Sequence, residues 1–277
     1  MIEEKYKAVV LGAGESGVGA ALLYQSRGIS VFVSDYGHIA PKYKAELEEQ
    51  GIPYEEGTHS TELILRAEEI VKSPGIPEKA PIMQAIRGAG IPVISEIELA
   101  GRYLKGKVIG ITGSNGKTTT TMWLHHILSE AGIRVGLAGN VGFSLARQVI
   151  SEDQPEYFVV ELSSFQLDDM YDFRADIAII TNITPDHLDR YEYKFQNYID
   201  SKFRILQNQT ESDYFIFWAS DPIVAAEISK RNIVSIMLPF DLNRTTTSGV
   251  ENFAFVDDKD NIVIQRPSHS HFVDIPV

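Results

Sequence analysis

The sequence predicts an α/β fold built on two parallel sheets. Three observations carry this. Short apolar runs alternate with amphipathic stretches through residues 7–95, the same rhythm restarts near residue 108, and each half opens on a glycine-rich turn between an apolar run and a helical pattern.

In order, the pattern predicts a strand over 8–11, a helix over 18–27, a strand over 31–34 and a charged helix over 43–50. A strand over 69–72, a helix near 81–87 and a strand over 93–95 follow, which suits a small parallel sheet of about five strands. Residues 96–104 read as a linking helix closed by Gly106. The second unit then has strands over 108–112, 135–138, 157–160 and 177–181, with helices over 118–131 and 194–207. Near the end, apolar runs at 253–256 and 262–265 flank an acidic turn at 257–261 and predict a β-hairpin. The expected division is 1–96, a Rossmann-like parallel-sheet domain, and 97–277, a central P-loop α/β domain.

With 44% apolar and 23% charged residues the chain has the composition of a globular protein, not a disordered one. The formal charge of −13 excludes a broad basic surface for a polyanion, so no nucleic-acid partner is expected. A small nucleotide needs only a helix N-terminus and a lysine. The absence of cysteine removes disulfides, thiolate metal sites and a cysteine nucleophile together. Residues 1–6 are charged and form no apolar leader core, and no apolar span reaches the length of about 18 residues that crosses a bilayer. No membrane partner and a cytoplasmic location are therefore expected.

Gly12-Ala13-Gly14-Glu15-Ser16-Gly17 lies between a strand and a helix, with Asp35 at the end of the next strand. Glycines there let the backbone approach a diphosphate, and the acid is placed to hold a ribose hydroxyl. Three readings stay open: NAD or NADP, another nucleotide diphosphate such as UDP, or a tight turn without a ligand. The second turn, Gly110 to Thr118, has the mechanics of a P-loop. The backbone of Gly113, Ser114, Asn115 and Gly116 faces the phosphates, Lys117 reaches the terminal ones, and Thr118 can ligate Mg²⁺, with Thr119 beside it. Its first glycine is one place early for the common spacing.

In an open α/β sheet the ligand lies past the carboxyl ends of the strands. Glu161 in Glu161-Leu162-Ser163-Ser164 and His187 in Thr184-Pro185-Asp186-His187 both stand there. Each has a plain alternative, a capping acid and a loop histidine. A carboxylate suits Mg²⁺ on ATP, and an imidazole could complete a second metal shell. Lys202 shares an apolar stripe with Ile199 and Leu206, so it either snorkels to water or turns inward.

The string Thr112 to Thr120, TGSNGKTTT, resembles the ATP loop of the Mur ligase and folylpolyglutamate synthetase superfamily, and the resemblance extends in matching order over nearly the whole chain. It implies an ATP- and Mg²⁺-dependent ligase that joins an amino acid to a UDP-muramoyl carboxylate through an acyl phosphate. Catalytic roles then fall to Lys117, His187 and Lys202, and metal contacts to Thr118, Glu161, His187 and Lys202. The segment Tyr198 to Arg204 is similar to one in which the family's lysine is carbamylated by CO₂. The resemblance also assigns the UDP end to Gly14, Glu15, Ser16, Asp35, Tyr36 and Ser73, and the muramoyl end to Asn140. Asn115 stands where L-alanine-adding members carry His, and His187 to Tyr191 is similar to D-glutamate-adding members. The small-molecule partners implied are the UDP-muramoyl precursor, D-glutamate and ATP. In the resembling enzymes a further Rossmann-like domain follows. Because this sequence stops at Val277, before the Gly-x-His-Asn segment of such enzymes, it is expected to bind nucleotide without completing ligation. An oxidoreductase, an L-alanine-adding ligase and a switch-like NTPase are the alternatives.

Overall fold

The structure is a computed structural model, and it describes residues 5–242, 253–256, 262–265 and 270–273. The first sheet is made of β1 (Ala8–Leu11), β2 (Val31–Asp35), β3 (Tyr54–Glu56), β4 (Glu69–Lys72) and β5 (Val93–Ile94). The helices α1 (Glu15–Ser26), α2 (Pro41–Glu49), α3 (Thr61–Ile64) and α4 (Pro81–Gly88) connect them. The order is β3-β2-β1-β4-β5, all parallel, as expected for about five strands. The strands β1 and β2 are buried almost throughout, which is why they read as continuous apolar runs and not as alternation. The short β3 and α3 carry three glutamates and a threonine, with too little apolar pattern to be predicted.

Helix α5 (Glu96–Gly101), capped by Ser95 accepting from Glu98 N, leads to the second sheet. It ends three residues before the predicted limit. There follow β6 (Lys107–Thr112), α6 (Lys117–Glu130), β7 (Val135–Gly139), α7 (Leu145–Gln148), β8 (Tyr157–Glu161), α8 (Ser164–Asp168) and β9 (Ile177–Ile180). Then come α9 (Phe195–Phe203), β10 (Tyr214–Trp218), α10 (Pro222–Ile228), β11 (Ile236–Asp241), β12 (Phe253–Val256), β13 (Ile262–Gln265) and β14 (Ser270–Val273). The strand order is β14-β13-β12-β11-β10-β9-β6-β8-β7. Pairing is parallel from β7 to β12 and antiparallel across β12-β13-β14. The predicted hairpin is thus β12-β13, and its turn at 257–261 lies outside the described residues. The helix expected over 194–207 is divided: α9 ends at Phe203, and Arg204–Leu206 is a 3-10 turn, where the Arg204 guanidinium donates to the carbonyls of Leu167 and Met170.

One core runs through both sheets. It joins Val10 and Val33 of the first sheet and Leu23 of α1 to Phe158 and Phe215 of the second sheet, Ile97 of α5 and Leu145 of α7. Helix α1 packs on α5 and α7, close enough that a Cβ on Gly19 would lie 2.1 Å from Ser144 Oγ. Ionic contacts surround this seam. Arg147 on α7 pairs with Glu15 (3.0 Å) and with Glu46 on α2, and buried Lys72 pairs with buried Asp169 (2.9 Å) across the other side. The two sheets therefore present their strand ends to each other through a packed junction.

Candidate functional site

Two cavities lie beyond the strand ends. In the first sheet, β1 and β4 are neighbours although α1 leaves β1 toward β2, so the chain diverges there and opens a crevice. A cavity of about 710 Å³ fills it, lined by Gly12 to Gly14, Asp35, Tyr36, His59, Ser73, Gly75 and an apolar wall at Ile76 and Pro77. Gly12 has φ +92°, and a Cβ there would lie 2.8 Å from Ser73 Cβ, so this turn requires glycine. Both Asp35 oxygens are engaged, Oδ2 by Ala13 N (2.7 Å) and Oδ1 by Gly37 N (2.8 Å), so the acid braces the glycine turn while each oxygen keeps a second lone pair. Gly14, Asp35, Tyr36 and Ser73 line the cavity. Glu15 and Ser16 do not: Glu15 is turned away to Arg147, Tyr43 Oη (3.3 Å) and Ser144 N (3.2 Å) in the junction.

In the second sheet β6 lies between β8 and β9, so its end is flanked by theirs. The loop from Gly113 to Gly116 follows β6 and delivers α6, with Gly116 in the left-handed region as the N-cap. The loop is braced from the side. Ser114 N donates to Asn182 O (2.9 Å), Asn115 N to Asn182 Oδ1 (3.0 Å), and Thr181 Oγ1 to Asn115 O (2.7 Å). Ser114 Oγ donates to Thr184 O (2.9 Å) and lies 3.1 Å from Tyr198 Oη. The sequence puts Thr181, Asn182 and Thr184 in the run at and past the end of the strand at 177–181 and Tyr198 in the segment of Lys202, but assigns none of the four a bracing role. The polar run after β9 was visible, but which carbonyl it would meet depends on β6 and β9 being neighbours.

Lys117 Nζ donates to Gly113 O (2.9 Å) and Ser114 O (3.0 Å), a loop-bound position at the start of α6. Thr118 Oγ1 donates to Glu161 Oε2 (2.7 Å), and Asn140 Nδ2 to Glu161 Oε1 (2.8 Å). Three predicted residues thus meet on one buried carboxylate. Thr119 is exposed in the first turn of α6.

A second cavity of about 290 Å³ contains Lys117, Asn140, Ser163, Asp186, His187, Arg190 and Lys202, together with Pro74 and Gly75 from the first sheet. Lys202 is buried, and its Nζ donates to Gly113 O (2.7 Å) above the Tyr198 ring (4.6 Å). It turns inward and does not snorkel. Burial pushes its pKa down to about 7, and the neighbouring Lys117 charge acts in the same direction. His187 has φ +50°, lies 5.2 Å from the Phe165 ring and is half exposed, with Nε2 3.5 Å from Asp186 Oδ2. Arg190 stacks over Phe165 (4.3 Å) and donates to Pro74 O and Ile76 O (3.3 Å each), so it ties this loop to the turn that walls the first cavity. Gly75 is common to both cavities.

The donor chemistry fits Mg²⁺ on a nucleotide in part. Glu161 and Thr118 offer hard oxygens at the phosphate cradle, the type Mg²⁺ prefers. Among the described residues no three His, Asp or Glu side chains form a ligand group, so the remaining positions would fall to phosphate and water oxygens. His187 is a nitrogen donor and the Lys202 amine no ligand as it stands.

The chain as a whole is similar to known proteins. A family model described as "Mur ligase middle domain" matches residues 111–277, and one described as "Mur ligase MurD-like, N-terminal domain" matches 6–95. The chain is 56% identical over 262 residues to the UDP-N-acetylmuramoylalanine–D-glutamate ligase of Porphyromonas gingivalis, covering 95% of this chain and 57% of that protein. Similar figures hold for the protein of the same name from Bacteroides fragilis, at 56% over 261 residues, 94% of this chain and 57% of that one. The chain thus spans 57% of the length of these relatives. Among solved structures, the UDP-N-acetylmuramate:L-alanyl-gamma-D-glutamyl-meso-diaminopimelate ligase of Neisseria meningitides has a TM-score of 0.62 at 18% identity, covering 96% of this chain and 86% of that one. The murein peptide ligase of Psychrobacter arcticus scores 0.59 at 19% identity, with 98% and 61% covered. These two share the fold. With the middle-domain model matching more than half of its length and the phosphate loop, carboxylate and lysine assembled at one strand end, this chain belongs to the Mur ligase family.

Proposed function

We propose that these residues carry the UDP-precursor and ATP sites of a cytoplasmic ligase that joins D-glutamate to UDP-N-acetylmuramoyl-L-alanine. The observation that carries the reading is the meeting of the two cavities at Gly75, which lets one substrate reach from the first sheet's crevice to the phosphate loop of the second. A dehydrogenase has no use for the second loop, and a switch-like NTPase has none for the first cavity.

In this reading ATP lies on Gly113 to Thr119, with Lys117 exchanging its two carbonyl contacts for terminal phosphate oxygens. Mg²⁺, held by Thr118 and Glu161, would neutralise phosphate charge. The precursor's diphosphate lies against Gly12 to Gly14 and Ser73, and Asp35 and Tyr36 bracket its nucleoside. Glu15 and Ser16 act indirectly, through the junction and the first turn of α1. Asn140 contacts the muramoyl end near the phosphate. The muramoyl-alanine carboxylate attacks the γ-phosphoryl group to give an acyl phosphate and ADP, and the D-glutamate amine then displaces phosphate. The chain's contribution is positioning and charge neutralisation, with no protein nucleophile.

Lys202 is proposed to be carbamylated. Its lowered pKa leaves a large neutral fraction near pH 7. The neutral amine attacks CO₂, a C–N bond forms, the amine proton leaves to water, and an anionic oxygen ligand replaces a cation beside Lys117. Carbon-13 NMR with labelled bicarbonate should show a carbamate that is absent in Lys202→Arg. The overall reading is tested by thermal stabilisation. UDP-N-acetylmuramoyl-L-alanine should protect the protein and NADH should not; the reverse result would establish a dehydrogenase-type site.

A further inference from the structure

His59, in the wall of the first cavity, ends a hydrogen-bond relay that the assignments above do not use. Ser34 and Glu55 are register partners on β2 and β3. Buried Ser34 Oγ donates to Glu55 Oε1 (2.6 Å) and lies 2.7 Å from His59 Nδ1. Glu55 also accepts from Ser60 N (2.8 Å) and Ser60 Oγ (2.5 Å). A carboxylate can only accept, so the single Ser34 hydroxyl proton is committed to Glu55. At 2.7 Å the Ser34 oxygen must then receive a proton from His59, which fixes hydrogen on Nδ1 and leaves the lone pair on Nε2.

His59 lines the cavity beside the exposed Tyr36 ring, with ring centroids 5.7 Å apart. Burial lowers the imidazole pKa, against the raising effect of Glu55 and Asp35, which keeps the ring in the neutral form this relay needs. Its Nδ1 edge is held by the sheet, so the edge available to a ligand is an acceptor.

We propose that His59 is a specificity-determining residue that reads the nucleobase through an Nε2 acceptor, selecting a pyrimidine with a ring N–H, such as uracil, over one with a ring lone pair, such as cytosine. This rests on the reading of the cavity as a nucleoside diphosphate site. The imide N3–H of uracil completes the relay base–His59–Ser34–Glu55 with every donor matched to an acceptor. Cytosine opposes two lone pairs at the same point. Tyr36 supplies the flat surface against which either ring lies, and so contributes affinity without discrimination.

Calorimetric titration of the whole chain with UDP and with CDP tests this. UDP should bind more tightly by about tenfold or more, the usual consequence of one unmatched polar contact. His59→Ala should bring the ratio toward one while retaining diphosphate binding, because the glycine turn is untouched. Nitrogen-15 NMR of the imidazole should show Nδ1 protonated and Nε2 bare in the free protein. A UDP/CDP ratio unchanged in His59→Ala, or the opposite tautomer, overturns the inference while leaving the nucleotide site standing. Failure of both nucleotides to bind wild type overturns the nucleotide reading and this inference with it.

Discussion

Glu96→Gln probes the junction that aligns the two cavities. The Glu96 carboxyl is buried, with Oε1 accepting from Ser144 Oγ and Ala146 N at 2.6 Å each and Oε2 buried without a partner. Burial raises its pKa from 4.5 to about 7, the two hydrogen bonds oppose the rise, and nearby Glu15 adds to it. A carboxyl held that far up costs the folded state about 3 kcal/mol once ionised, at about 1.4 kcal/mol per pH unit. The folded protein binds this proton more tightly than the unfolded chain. Its contribution to stability is therefore full below pH 4.5 and is lost as pH rises to about 7.

Glutamine keeps the Oε1 acceptor and cannot ionise. Its amide places a new donor where Oε2 was, at a cost of about 1–3 kcal/mol that does not depend on pH. The quantity to measure is the difference in unfolding free energy between wild type and variant, from urea titrations followed by the fluorescence of Trp123 and Trp218. Between about pH 5 and about pH 8 that difference should move by about 2.5 kcal/mol in favour of the variant. Other carboxylates titrate equally in both proteins and cancel. A difference that stays flat over this range would show that burial does not hold the Glu96 proton, and the account of the junction as a desolvated ionisable seam would fail.

Lys117→Ala should lose the protection that Mg-ATP gives wild type, about 2.7 kcal/mol at a hundredfold excess over Kd, with little change in the free protein's melting point. Equal protection of both would remove the lysine from the nucleotide site. Gly19→Ala drives a Cβ to 2.1 Å from Ser144 Oγ and should destabilise by about 1–3 kcal/mol, read as a lowered urea midpoint. An unchanged midpoint would mean that α1 and α7 are not in contact in solution. Arg190→Ala removes the tie to Pro74 O and Ile76 O and should weaken UDP-precursor binding by about tenfold while leaving Mg-ATP protection intact. A loss confined to ATP would place Arg190 in the wrong site.

The relation of these residues to the sequence follows from range. The two glycine-rich turns were legible because each is local: strand, glycine turn and helix are adjacent in the chain, and a phosphate cradle of the kind proposed needs only backbone at the helix N-terminus. Glu161 was legible as a residue at a strand end, and its neighbour Thr118 as a loop residue. Their 2.7 Å contact was not, because it exists only once β8 pairs with β6. The inward turn of Lys202 was one of two outcomes compatible with its helical stripe. The Gly113 carbonyl, 89 positions away, is the partner that decided it.

Glu15 shows the opposite case. The family resemblance implied a ligand contact for it, and only the packing of α1 on α7 gave it Arg147 as a partner. The relay through Ser34, Glu55 and His59 was likewise invisible, since β3 is too short and polar to register as a strand and its pairing with β2 sets the contact. By itself the sequence determined the α/β class, the two glycine-rich strand-to-helix turns and the family, because these reside in periodicity and contiguous motif. Tertiary structure decided which side chains face a cavity and which hold the sheets together, because that choice depends on strand order, and strand order is settled by burial between segments far apart in the chain.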